Sequence, residues 1–203
     1  MRDWWLRTLL VLQRPRPVFV ALRDDSPESL SDRAEPILLI VILAGIAAAL
    51  STGTAAHLMD DSTYDGIVTA VWAFAVGGID GAVGYFALGA LLHGGVRALG
   101  SQGTYRRSRQ LLAFAAVPIA LSLVLWPVKL ALYGDDVFRT GGSDAGTGAH
   151  VFTALWLAFL AWAVVLLLLG VRAVHGWSWP RSIGACMIGS VVPLVLWLAF
   201  SAF

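Results

Sequence analysis

The sequence predicts an all-α polytopic membrane protein: five transmembrane helices preceded by an amphipathic helix lying at the membrane interface. Three observations carry that expectation. Apolar residues make up 58% of the chain and charged residues 13%, against roughly one quarter charged in soluble domains. The apolar residues gather into runs of about 20 or more, the length a bilayer requires. The basic residues fall almost entirely in alternate connections between those runs, as they do in membrane proteins with a fixed orientation.

The elements follow in chain order. Met1–Gln13 groups Trp4, Trp5, Leu6, Leu9, Leu10 and Leu12 against Arg2, Asp3, Arg7, Thr8 and Gln13. Such a helix is too short to span but suits the interface, where Trp prefers to sit. Arg14-Pro15-Arg16-Pro17 follows it, which is unlike the small-residue cleavage site of a signal peptide. Val18–Leu22 is a second apolar patch, and Arg23–Glu35 a polar linker in which Ser26-Pro27-Glu28 reads as a helix start. Residues 1–35 thus form an N-terminal interfacial segment and residues 36–203 the transmembrane domain.

The first span is expected over Pro36–His57. The second opens at Ser62-Thr63-Tyr64-Asp65, a capping-box pattern, and runs to about His93. The third is Leu111–Tyr133, the fourth Ala149–Val174 and the fifth Ile183–Phe203. The connection Gly134–Gly148 carries glycines at 134, 141, 142, 146 and 148 and is expected to be mobile. Pro118, Pro127 and Pro193 are expected kinks, and Trp126, Trp156, Trp177, Trp179 and Trp197 an aromatic belt. No internal repeat is evident, unlike transporters built from inverted repeats.

Orientation follows from Lys and Arg counted by side. Six arginines precede the first span, four (Arg97, Arg106, Arg107, Arg109) lie between the second and third, and two (Arg172, Arg181) between the fourth and fifth; the other side has Lys129 and Arg139. This predicts a cell-membrane protein with a cytoplasmic N-terminus and an external C-terminus.

Several functions are disfavoured at once. A net charge of +1 gives no footprint for nucleic acid. The single cysteine, Cys186, supports neither a disulfide framework nor a thiolate cluster. His57, His93, His150 and His175 lie at span ends without the spacing of a metal site. No nucleophile–base pair, phosphate-binding loop or dinucleotide fingerprint is present, so neither enzymatic activity nor a cofactor is expected.

Two features could carry function. Asp80, in Gly77-Gly78-Ile79-Asp80-Gly81, is the ionisable side chain deep in a span. A carboxylate in hydrocarbon is costly and should face the bundle with a partner or water. It reads either as a proton or cation relay or as an interhelical hydrogen bond, with Gly77 and Gly81 allowing close packing. The second feature is the patch Thr104, Tyr105, Arg106, Arg107 and Arg109 at the start of the third span. It reads either as a site for a lipid headgroup phosphate or a partner, or as simple positive-inside anchoring.

Four stretches together resemble the Yip family ("Yip-one" domain), bacterial type: Arg14-Pro15-Arg16-Pro17-Val18-Phe19; His93–Tyr105, HGGVRALGSQGTY; Ala113-Phe114-Ala115-Ala116-Val117-Pro118; and Gly170–Ser178, GVRAVHGWS. They occur in the family's order along nearly the whole chain. The resemblance implies a five-helix integral membrane domain with a cytoplasmic N-terminus. For eukaryotic relatives it implies membrane organisation and interaction with Rab-type GTPases. The acidic DLYGP motif of that branch is absent, Leu132-Tyr133-Gly134 being only a faint echo on the wrong side of the membrane, so GTPase binding is not carried over. The expected function is a non-enzymatic membrane-organising scaffold contacting membrane lipids, anionic headgroups or a homo- or hetero-oligomeric partner. The alternative is a small-solute or ion permease, proton-coupled through Asp80.

Overall fold

The computed structural model describes residues 2–201, with side chains from Trp4 to Val191. The side chain of Trp197 and the end of the expected fifth span fall outside the described part. The described residues are helical throughout their ordered elements: α1 (Arg2–Leu10), α2 (Pro15–Ala21), α3 (Pro27–Asp32), α4 (Ala34–Leu50), α5 (Gly66–Ala98), α6 (Tyr105–Ala115), α7 (Val117–Leu121), α8 (Leu125–Tyr133), α9 (Thr147–His175) and α10 (Trp179–Ser201). Among them, the stretches Pro27–Leu50, Gly66–Ala98, Tyr105–Phe138 and Thr147–His175 are long and apolar enough to cross a membrane. Large apolar side chains point outward, as at Ile67 (76% exposed), Phe74 and Ile79 (64% each). A surface of that kind is stable against lipid and not against water.

Sequence and structure differ at several helix ends, each for a local reason. The first span stops at Leu50 rather than His57. Ser51 and Thr52 donate their hydroxyls to the carbonyls of Ala47 (2.7 Å) and Ala49 (2.6 Å), and the Thr52 amide turns to Ala49 at 3.2 Å, three residues back, so the last turn tightens and stops. A short 3-10 turn, Ala55–Asp60, follows instead. The second span begins with Asp65, not with a Ser62 box: the Asp65 carboxylate accepts from the Val68 amide at 2.8 Å, while Asp61 accepts from Thr63. It then runs past His93 to Ala98. The third span is not one helix. It breaks at Ala116, immediately before the Val117-Pro118 start of α7, and again through a 3-10 turn at Ser122–Val124. Proline removes a backbone donor and clashes with the preceding turn. Pro127 falls in the first turn of α8, where its missing N–H costs nothing. The Ser26-Pro27 start is as expected, with the Ser26 hydroxyl accepting from the Ser29 amide at 3.3 Å.

The chain divides into two compact units. The first comprises Met1–Ile37, Gly84–Ala115 and Val164–Phe203; the second comprises Leu38–Val83 and Ala116–Ala163.

In the first unit Trp4 and Thr8 of α1, and Val11 just past it, turn inward, while Leu6, Leu9 and Leu10 are exposed. The Trp4 ring lies 5.5 Å from that of Phe114 on α6. From α2, Phe19 is fully buried beside Gly170 of α9, where a Cβ would press to within 2.9 Å of the ring.

In the second unit α4 and α5 meet backbone to backbone. A Cβ on Gly45 would overlap the Gly77 carbonyl, one on Gly77 would overlap Ile46, and one on Gly81 would overlap the Val41 carbonyl. The i, i+4 pair Gly77 and Gly81 is therefore a packing seam of small residues. Beyond it Met59, Val137 and Phe138 form a small core flanked by Leu50, Tyr64, Trp126 and Tyr133. The glycine-rich Gly134–Gly148 connection is organised rather than open: the Ser143 amide donates to Asp136 at 2.7 Å, its hydroxyl to the Tyr133 carbonyl at 3.1 Å, and the Ala149 amide to the Asp144 carbonyl at 2.7 Å.

Candidate functional site

The basic patch lies wholly in the first unit, and its members have different fates. Thr104 precedes α6, and its hydroxyl accepts from the Arg107 amide at 3.3 Å. Tyr105 donates its hydroxyl to the Phe86 carbonyl at 2.8 Å. Arg109 is enclosed: its guanidinium sits 4.8 Å from the Phe86 ring centroid, 5.2 Å from Tyr105 and 5.3 Å from Tyr85. At these separations the ring faces attract the cation. Arg107 donates to the Arg23 carbonyl at 3.0 Å and forms a close ion pair with Asp25. Arg106 alone of the three is exposed.

Further arginines of the same unit serve helix ends. Arg23 donates to the carbonyls of Val174 (2.9 Å) and Ala173 (2.6 Å) in the last turn of α9. Arg181 donates to Leu99 O, just past the end of α5. There Gly100, with φ +84°, folds the chain back so that the Ser101 amide reaches the Val96 carbonyl at 3.0 Å. A cation at a helix C-terminus is favoured by the exposed carbonyls and the dipole. Arg33 is fully buried: it donates to the Asp24 carbonyl at 2.7 Å, lies 3.7 Å from Asp25, and stacks 5.5 Å from the Trp4 ring centroid. Arg33, Asp25 and Arg107 thus form one linked cluster joining the Arg23–Glu35 segment to α6. Beside it the Ser26 amide and hydroxyl hold the Asp24 carboxyl below the usual carboxylate range. None of these roles shows in the positive-inside count, because their partners lie up to 151 positions away.

Charge is divided unequally. The first unit holds twelve Lys and Arg against six Asp and Glu, a net of +6; the second holds two against seven, a net of −5.

Asp80 lies in the second unit, 14 residues after the start of α5, or about 21 Å along it. Its side chain is exposed, with neither an ion pair nor a hydrogen bond among the described residues. The expectation that it faces the bundle is not met. Gly77 and Gly81 turn toward α4, whereas Asp80 sits at the margin of that face, and Gly78 beside it has open space where a Cβ would be. Asp80 and the basic patch belong to different units.

Three of the four histidine side chains are hydrogen-bonded at span ends: His57 to Thr140 (2.8 Å), His93 to Ser108 (3.4 Å) and His175 to Ser101 (3.2 Å). Among the described residues, no group of three His, Cys, Asp or Glu is placed to hold a metal ion.

A cavity of about 420 Å³ lies in the second unit, between the end of α4, α8, the start of α9 and the 134–148 connection. Its wall includes Lys129 and Arg139, which in the sequence enter only the count of charges by side, together with Asp144. Their convergence was not legible locally, since Arg139 and Asp144 reach the wall through the fold of the connection.

Among proteins of known family, the model described as the Yip1 domain matches residues 9–202. No curated protein and no solved structure matches the chain.

Proposed function

The chain belongs to the Yip1 domain family, and from that premise we propose that it is a non-catalytic, membrane-organising scaffold whose basic end engages anionic lipid headgroups. The observation that carries this reading is the charge division of +6 against −5 between the two units. Basic groups near an anionic leaflet are each attracted by about 1 kcal/mol. The positive-inside rule places the basic unit at the cytoplasmic leaflet of the cell membrane, with α10 as the fifth span. Arg23, Arg107 and Arg181 tie loops to helix ends there, which makes that end a stiff platform. Leu6, Leu9 and Leu10 of α1 give it an apolar flank suited to the interface.

Lipid retention tests the reading. The protein is purified from a mixture of zwitterionic and anionic phospholipid and weighed intact with its bound lipids. Arg106→Gln, at the exposed cation, should reduce the anionic lipid retained while leaving the zwitterionic lipid unchanged. Arg109→Gln should lower thermal stability with a smaller effect on lipid, because its guanidinium faces aromatic rings. Equal anionic retention by wild type and Arg106→Gln would reduce the patch to topological anchoring.

A further inference from the structure

We infer that the cavity of the second unit is a binding site for a small organic anion, a carboxylate on an apolar, preferably aromatic body. Its size, about 420 Å³, falls in the range of small-molecule sites, and such sites pair apolar walls with a few convergent polar groups. Here Trp126, Phe152 and Trp156 supply the apolar wall, and Lys129, Arg139 and Asp144 supply the charges. Lys129 and Asp144 form an ion pair at 2.8 Å, with side chains 16% and 12% exposed. Arg139 hydrogen-bonds a main-chain carbonyl, that of Met59 at 2.8 Å, and the Asp60 carboxylate, outside the wall, acts on it only through the field. The three charges therefore leave one positive charge in excess at the wall.

A cationic ligand is the wrong complement. Two of the three aromatic faces that would attract it are already taken by the Lys129 ammonium, 5.2 Å from the Trp126 centroid and 6.0 Å from Phe152. An anion can use Arg139 directly and share Lys129 with Asp144, while its body replaces water against the rings. The site is also built in advance. The connection that closes it is pinned by Asp136 and Tyr133 through Ser143, and Gly142 packs where a Cβ would overlap the Asp136 carbonyl. A preformed wall spares the ligand the cost of ordering it.

The test is equilibrium dialysis of three labelled probes of one shape against the full chain in zwitterionic-lipid nanodiscs, with empty discs subtracted. The probes are 2-naphthoate, the neutral 2-naphthamide and cationic 2-naphthylmethylammonium. The naphthoate should bind saturably, one per chain, and at least tenfold more tightly than the other two. Lys129→Met and Arg139→Gln should each weaken it tenfold or more. Asp144→Asn should tighten it, because it frees the Lys129 ammonium and removes a negative charge. Opposite signs for the two members of one ion pair separate binding from unfolding, since a merely structural pair would lose binding in both variants. Adding anionic lipid to the discs shows the source: displacement of the naphthoate identifies a lipid headgroup as the occupant, and no displacement identifies a soluble acid. No saturable binding of the naphthoate, equal binding of the amide, or weaker binding in Asp144→Asn overturns the inference.

Discussion

Two adjacent glycines of α5, Gly77 and Gly78, should respond to the same substitution in opposite directions. A Cβ at Gly77 meets the Ile46 amide nitrogen at 2.7 Å and its Cγ1 at 2.9 Å, with the Ile46 Cα nearer still. Two of those three atoms are backbone, so the helix must move rather than a rotamer. Overpacking of that kind costs about 1–3 kcal/mol, and a backbone obstacle argues for the upper end. Replacing Gly by Ala inside a helix returns about 1 kcal/mol. Gly77→Ala should therefore lose about 2 kcal/mol. At Gly78 nothing lies within 4 Å, so only the gain of about 1 kcal/mol remains. The difference of about 3 kcal/mol corresponds to roughly 6–12 °C in apparent Tm for a chain of this size. Thermal unfolding of the two variants in one detergent, followed by the fraction remaining monodisperse, measures it. If Gly77→Ala melts at or above the wild-type temperature, the backbone seam between α4 and α5 is wrong. The pair Gly94 and Gly95 repeats the experiment in the other unit: Gly95 faces Ala185 and Gly189, whereas Gly94 is open.

Three further outcomes are expected. Arg23→Ala removes two hydrogen bonds to the last turn of α9 and, because the side chain is exposed, should cost about 1 kcal/mol; faster amide exchange in residues 172–177 would report it, and unchanged exchange there would count against the cap. Asp80→Leu should be at least as stable as Asp80→Asn, since Asp80 has no described partner to strand and the surrounding face is apolar; a marked loss in the Leu variant, measured by thermal unfolding in nanodiscs, would reveal a partner the fold does not show. The Thr140 hydroxyl and amide hold the Asp60 carboxyl below its ordinary value of 3.8, so the stabilisation of that contact is complete above pH 3.8 and is lost as pH falls through the lower folded value; exchange protection of the Thr140 amide should follow that course in wild type and lose its pH dependence in Asp60→Asn.

The fold was legible because lipid imposes simple rules: apolar runs of sufficient length, basic residues in alternate connections, and punctuation by proline and glycine. Pro118 marked a real break, and Gly77 with Gly81 announced a close helix contact. Helix ends were less legible, since Ser51, Thr52 and Asp65 act through side-chain hydrogen bonds that compete with near-identical local patterns. The candidate site was legible only as a patch. Arg106, Arg107 and Arg109 are indistinguishable in sequence, yet one is exposed, one paired with Asp25 and one enclosed by Tyr85, Phe86 and Tyr105. What separates them is long-range contact, which periodicity does not encode. The same holds for Lys129 and Asp144, whose pairing depends on how a 15-residue connection folds back. Asp80 was misjudged for a different reason. A cost in lipid says that a carboxylate wants a partner, but the helix phase is set by the glycines, and they claimed the packed face.

The functional reading stands on the orientation of the basic unit, and cysteine accessibility tests it directly. In a Cys186→Ser background, single cysteines are placed by Gln102→Cys and Ser178→Cys in the basic unit, and by Ser62→Cys and Thr147→Cys in the acidic one. A membrane-impermeant maleimide is then applied to intact cells. Labelling of 62 and 147 in intact cells, with 102 and 178 reached only after the membrane is opened, is the predicted result. The reverse pattern would put the arginine-rich connections outside and contradict the account.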